Sequence, residues 1–156
     1  MEIIVLNRRR FDALEERKII ASASDKLAIT NLKLMDQLYF EAWNKKDWEM
    51  FRRLHTKNVV VINIDGTKTI GIDEYLKNIK QGLDTFKSLI VKAHPIRIGS
   101  DNWTSAVGEI ELTTQDNKKI TSLMCTAARW ENNQIAEEHL SQNGNALIEY
   151  ITNSYT

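Results

Sequence analysis

The residues best equipped for chemistry lie in the run Glu137-Glu138-His139-Leu140-Ser141-Gln142-Asn143-Gly144. It offers carboxylates, an imidazole and amides, the groups that move protons or hold a polarised oxygen. Read as a strand, the run alternates its side chains, so Glu137, His139, Ser141 and Asn143 share one face while Glu138 turns to the other. If that shared face lines a cavity, His139 is the candidate acid/base, because an ordinary imidazole titrates at pH ~6.5 and both of its forms are available near neutrality. Asn143 could orient a ligand carbonyl or enolate by donating a hydrogen bond. A plainer reading stands beside this one, with His139 a hydrogen-bonded strand residue and Asn143 a turn residue. Of the two glutamates, one faces a cavity and the other faces solvent or a partner subunit. Arg129, on the neighbouring strand, is the expected partner for a buried carboxylate.

The other candidate groups are weaker. His55 reads as a helix-end residue whose partial positive charge suits the helix dipole, and His94 precedes Pro95 in an extended segment. The three histidines lack the close spacing of a metal motif, so no metal site is expected. Cys125 alternates with Leu123 and Ala127 and reads as a small core residue with no base beside it. Trp43 falls on the inner face of the first helix, where it could wall a pocket or simply pack the core. No glycine-rich phosphate cradle is present.

The bulk properties narrow the setting. The chain has 156 residues, one domain's worth, with 21 Lys plus Arg against 21 Asp plus Glu and no net charge. Nucleic-acid binders usually carry a basic excess, and the triplet Arg8-Arg9-Arg10 sits among Asp12, Glu15 and Glu16, so no nucleic-acid partner is expected. No apolar run reaches the ~18 residues of a membrane span. The opening Met1-Glu2-Ile3-Ile4-Val5-Leu6 is too short, and its charges fall on the wrong side, for a secretory leader. With one cysteine and no disulfide framework, a cytoplasmic protein with no membrane partner is the expectation.

Residues 1–24 read as an N-terminal extension and 25–156 as a single domain. Asp25 can cap a long helix, with Leu27, Leu34 and Leu38 in one column and Met35, Tyr39 and Trp43 in the next. Asp47 restarts a short helix. Val59 to Ile64 is a β-branched strand that turns at Asp65-Gly66. Ile72, Leu76, Ile79, Leu83 and Phe86 then repeat at helical spacing. Long strands follow, cut at 99–102, 115–119 and 131–134. In the strand between the first two cuts, Ala106, Gly108, Ile110 and Leu112 alternate cleanly with Ser105, Val107, Glu109 and Glu111. Helices grouped at one end, followed by an antiparallel meander, make an α+β domain.

The blocks "YFEAWNKKDWEMFRRLHTKNVVV", "DGTKTIGIDEYLKNI", "HPIRIGSDNWTSAVGEIE" and "MCTAARWENNQIAEE" resemble, in this order, the SnoaL-like polyketide and ester cyclase family, over about Leu32 to Ile151. The resemblance implies a cone-shaped fold shared with steroid isomerases and nuclear transport factor two. In that fold a strongly curved antiparallel sheet wraps around the N-terminal helices and encloses an apolar pocket. It also implies a homodimer paired through the sheet face, a small apolar carbonyl compound as ligand, and cofactor-free proton transfer by a carboxylate near the end of the last strand. Many relatives carry "EEWLFWDN" where this chain has "EEHLSQNG", which places Asn143 on the family aspartate. A family His–Trp pair in the first strand falls on Ile62 and Asn63. The expected site is therefore His139 as acid/base, with Trp43, Asn63 and Asn143 contacting ligand, and neither cofactor nor metal. The alternative is a non-catalytic binding or assembly module that keeps the cone without the carboxylate.

Overall fold

The computed structural model describes residues 25–142. The expected extension over 1–24, and Asn143, lie outside the described residues. Helix α1 (Lys26–Asp36) runs into a seven-residue π-helical segment (Gln37–Trp43), and α2 (Trp48–Arg53) follows. Strands β1 (His55–Ile62) and β2 (Lys68–Ile70) precede α3 (Ile72–Asp84). Four long strands complete the fold: β3 (Ser88–Ser100), β4 (Trp103–Thr113), β5 (Lys119–Glu131) and β6 (Gln134–Gln142). They form one six-stranded sheet in the order β2-β1-β6-β5-β4-β3. Every neighbouring pair is antiparallel except β1 with β6, which run parallel. The sheet curves around the N-terminal helices, as the α+β cone requires.

Local chemistry sets most of the boundaries. The Asp25 carboxylate accepts the Ala28 N–H at 3.4 Å and the Asp47 carboxylate accepts that of Met50 at 2.9 Å, each satisfying an orphan donor at a helix start. The Asp65 carboxylate accepts the Thr67 N–H, and Gly66 supplies the positive φ of the β1–β2 turn. Asn132 and Asn133, at φ 49° and 65°, make the tight β5–β6 turn, a conformation that asparagine tolerates better than most residues. Pro95, which cannot donate to a ladder, sits in the edge strand β3 within an irregular stretch of its pairing to β4.

The inner face of the sheet follows the alternation in β4: Ala106, Ile110 and Leu112 are buried, with Gly108 between them. Ala106 and Ile110 join one core cluster with Met35, Leu38, Phe51, Val59, Val61, Trp130 and Ile135. Three sequence expectations change. Leu27 does not join a buried column but is 51% exposed, and the buried face of α1 is Ala28, Asn31, Leu32 and Met35. A π turn takes more residues than an α turn, so the 3.6-residue spacing does not hold from α1 into the π segment, and three consecutive residues, Leu38, Tyr39 and Phe40, become buried. Cys125 lies opposite Val107 and Ser141 on the outer face, not in the core. No described helix is long and apolar enough to cross a membrane.

Candidate functional site

Between the π segment, α3 and the inner face of the sheet lies a cavity of about 270 Å³. Leu38, Tyr39 and Trp43 wall one side, Tyr75 and Ile79 another, and Ile110, Met124 and Leu140 form the sheet floor. Asn63, Asn78 and Gln142 add polar groups to this otherwise apolar lining. Glu138 is the one charged residue of the described lining.

The Glu138 carboxylate is fully buried and held on both oxygens. Its Oε1 is 2.9 Å from His55 Nε2, and its Oε2 accepts the Tyr75 hydroxyl at 2.8 Å. His55 Nδ1 is 2.7 Å from the carbonyl oxygen of Phe51. A carbonyl can only accept, so Nδ1 carries a proton, and the state of Nε2 is left to its dealings with Glu138. One proton is thus shared between an imidazole nitrogen and a carboxylate oxygen. The imidazole is fixed in place by the Phe51 ring stacked on it at 4.4 Å and by the Tyr75 ring edge-on at 5.7 Å.

Two phenols face the same space. Burial, and then the nearby charge of Glu138, push both Tyr39 and Tyr75 well above the ordinary tyrosine value, so each remains a hydroxyl donor. The hydroxyls of Tyr39 and Thr126 lie 2.7 Å apart. They carry two protons between them and their mutual bond uses one. The other has no acceptor among the described residues; when Thr126 donates to Tyr39, the spare proton is that of Tyr39, a residue of the cavity lining.

Trp43 and Asn63, two of the expected ligand-contacting residues, both line the cavity. The indole of Trp43 donates to the Leu89 carbonyl at 3.3 Å, which fixes its ring. The Asn63 amide donates to Thr69 Oγ1 at 2.9 Å and to the Thr67 carbonyl, leaving its own oxygen as an acceptor. His139 is elsewhere. It shares a face with Glu137 and Ser141, as alternation requires, but that face is the outer one, and His139 is absent from the lining. Its Nε2 bonds Glu137 Oε1 at 2.7 Å, and Glu137 also accepts from Arg129 Nε at 3.3 Å. These hydrogen bonds, His139 foremost and then Arg129, hold the Glu137 carboxyl below its ordinary value. The Arg129 ion pair expected for a buried carboxylate therefore forms at the surface, while the buried Glu138 pairs with His55 instead.

The phase of β6 explains the exchange of faces. Arg129 pairs with Glu137 but Trp130 pairs with Ile135, so Ala136 is an extra residue. Counting inward positions in twos from the buried Ile135 would reach His139. The bulge moves them to Glu138, Leu140 and Gln142. From sequence His55 reads as a helix-end residue, whereas it is the first residue of β1 and lies beside the last strand. The parallel register that pairs Val61 with Glu138 is a long-range fact with no local signature.

The SnoaL-like domain family matches residues 37–138. The chain belongs to this family. Solved structures share its fold at low identity. An NTF2-like protein of unknown function from Burkholderia pseudomallei is 18% identical, with 79% of this chain and 98% of that one aligned at a TM-score of 0.71. A protein assigned as a SnoaL-like polyketide cyclase, from Jannaschia sp. CCS1, is 13% identical over 85% and 96% of the two chains, at 0.74. TerC, crystallised with polyporic acid, is 12% identical over 79% and 98%, at 0.70. No curated protein matches the chain.

Proposed function

We propose that this SnoaL-like protein binds a compact, largely apolar carbonyl compound in its cavity and moves a proton on it, with Glu138 as the acid/base and no cofactor in the step. The observation that carries the reading is one buried carboxylate in an apolar cavity, tied to an imidazole whose other nitrogen is already committed. When the shared proton rests on His55 Nε2, Glu138 is a base. When it rests on Glu138, the pair is an acid. A carbon acid beside a carbonyl would give its proton to Glu138, leaving an enolate whose oxygen accepts the spare hydroxyl proton of the Tyr39–Thr126 pair. Return of the proton to a different carbon is an isomerisation. Attack of the enolate carbon on a second carbonyl closes a ring, and the proton then passes to the new alkoxide. The size of the cavity, about 270 Å³ and just below the roughly 300–1,000 Å³ of small-molecule sites, suits a ligand of one or two rings. The crystallisation of TerC with polyporic acid is in keeping with a small-molecule occupant.

The exchange of α-hydrogens on an apolar cyclic ketone for deuterium in D₂O, followed by NMR, tests this without knowledge of the natural substrate. Wild-type protein should accelerate the exchange and Glu138→Gln should not, while both bind the ketone. Binding without exchange in the wild type would instead favour the non-catalytic module. That second reading draws on the occupation of both Glu138 oxygens by protein donors. A homodimer joined through the outer sheet face belongs to the same proposal, and the partly exposed Ile96 and Trp103 on β3 and β4 support it.

A further inference from the structure

Among the described residues, four buried side-chain atoms have no hydrogen-bond partner, and they belong to two side chains: both amide atoms of Asn31, and Nε and Nη2 of Arg97. These residues come from α1 and β3, which pack so closely that a Cβ on Gly99 would lie 3.1 Å from the Ala28 Cβ. The Arg97 side chain is 1% exposed. Its Nη1 donates to Asp36 Oδ2, and Asp36 Oδ1 is 2.9 Å from His94 Nδ1. The His94 ring packs against Tyr39 at 5.2 Å and Phe40 at 4.8 Å. The guanidinium is therefore fixed at one end, and its opposite side is unused.

That unused side has a particular chemistry. The Nε–H and the adjacent Nη2–H of a guanidinium point in parallel, at the spacing of two oxygens of a carboxylate or phosphate. Donors of a cation buried without an acceptor are strongly unfavourable, and a two-oxygen anion is their natural complement. The strand position facing Arg97 is Ala106, which keeps that part of the inner face small. Asp36, with 17% of its side chain exposed, is where the cluster reaches solvent.

We propose that the Nε/Nη2 side of Arg97 is the receptor of an oxyanion, a carboxylate or phosphate group, at a site separate from the Glu138 cavity. None of Asp36, His94 and Arg97 belongs to the described lining of that cavity. Tyr39 stands between the two sites, with its ring against His94 and its hydroxyl bonded to Thr126.

The test titrates the full chain with sodium acetate and, separately, sodium phosphate, against sodium chloride at matched ionic strength. It follows the Arg97 Nε–H resonance in ¹H–¹⁵N spectra. The expected result is a saturable shift with at least one oxyanion and none with chloride; whichever of the two binds more tightly identifies the carboxylate or the phosphate as the source. Arg97→Lys keeps the charge but not the parallel donors, so its affinity should fall at least tenfold, while Glu138→Gln should bind the oxyanion as the wild type does. A resonance unmoved by both oxyanions, contact of Nε–H with a resident water that neither displaces, or equal affinity in Arg97→Lys would overturn the proposal. The wild-type titration decides the matter even if the lysine variant does not fold.

Discussion

Replacing Glu138 in two ways separates hydrogen bonding from charge. Glutamine keeps the volume and can reproduce both contacts: its amide nitrogen donates to His55 Nε2 and its oxygen accepts the Tyr75 hydroxyl. The change exchanges two charge-assisted hydrogen bonds for two neutral ones, a loss of about 1 kcal/mol. Alanine leaves the imidazole nitrogen and the phenol buried with no partner, at about 1–3 kcal/mol each, so Glu138→Ala should lose about 4 kcal/mol. At a urea slope of ~2 kcal/mol/M, the unfolding midpoints move by ~0.5 M for glutamine and ~2 M for alanine. Equilibrium unfolding in urea, followed by fluorescence of the tryptophans that pack in and around the core, measures both shifts. Equal losses for the two variants would refute the reasoning. The carboxylate charge, and hence an imidazolium–carboxylate ground state, would then hold the site together rather than the count of satisfied groups.

Other outcomes follow from the same geometry. His139→Ala should leave ketone deuterium exchange unchanged, because the imidazole is on the outer face; a slowed rate at constant ketone affinity would bring His139 back into the mechanism. Gly99→Ala places a methyl 3.1 Å from the Ala28 Cβ and 3.2 Å from Leu32 Cδ1, so α1 must lift from β3 at a cost of about 1–3 kcal/mol, read from urea unfolding. Glu137→Gln tests linkage. The folded carboxyl titrates below its ordinary value of 4.5, so the stability it contributes is present above that pH and is lost as the pH falls through the depressed folded value. The stability difference between wild type and variant should therefore be small but present near neutrality and should close in acid.

Local chemistry was legible in the sequence where a few neighbouring residues decide it. Asp25 and Asp47 announce helix starts because their carboxylates bond N–H groups three residues on. The Asn132-Asn133 turn and the alternation through β4 are read with equal ease. Trp43 lines the cavity from the end of the π segment, and Asn63, singled out only through the family resemblance, lines it from just beyond β1. The reading failed where a single residue shifts a period or where partners are far apart in sequence. Ala136 looks like any strand alanine, yet as a bulge it decides whether Glu138 or His139 faces inward. The π turns likewise break the 3.6-residue spacing over Gln37–Trp43, a stretch that reads as ordinary helix. Nothing near His55 points to Glu138, since the two are 83 residues apart.

The parallel seam between β1 and β6 has a consequence for how the protein is made. On a ribosome, β1 and its buried histidine emerge long before the last strand that completes them. Until β6 arrives, one long side of β1 is an open template and the Val59 and Val61 core face is uncovered. Closure of such a distant pairing is slow, and unpaired edges of this kind aggregate. Any nascent or proteolysed chain stopped short of Glu138 therefore lacks both the buried His55–Glu138 pair and the seam that closes the sheet. The partner of the buried histidine and escape from aggregation arrive together, with the same nine-residue strand.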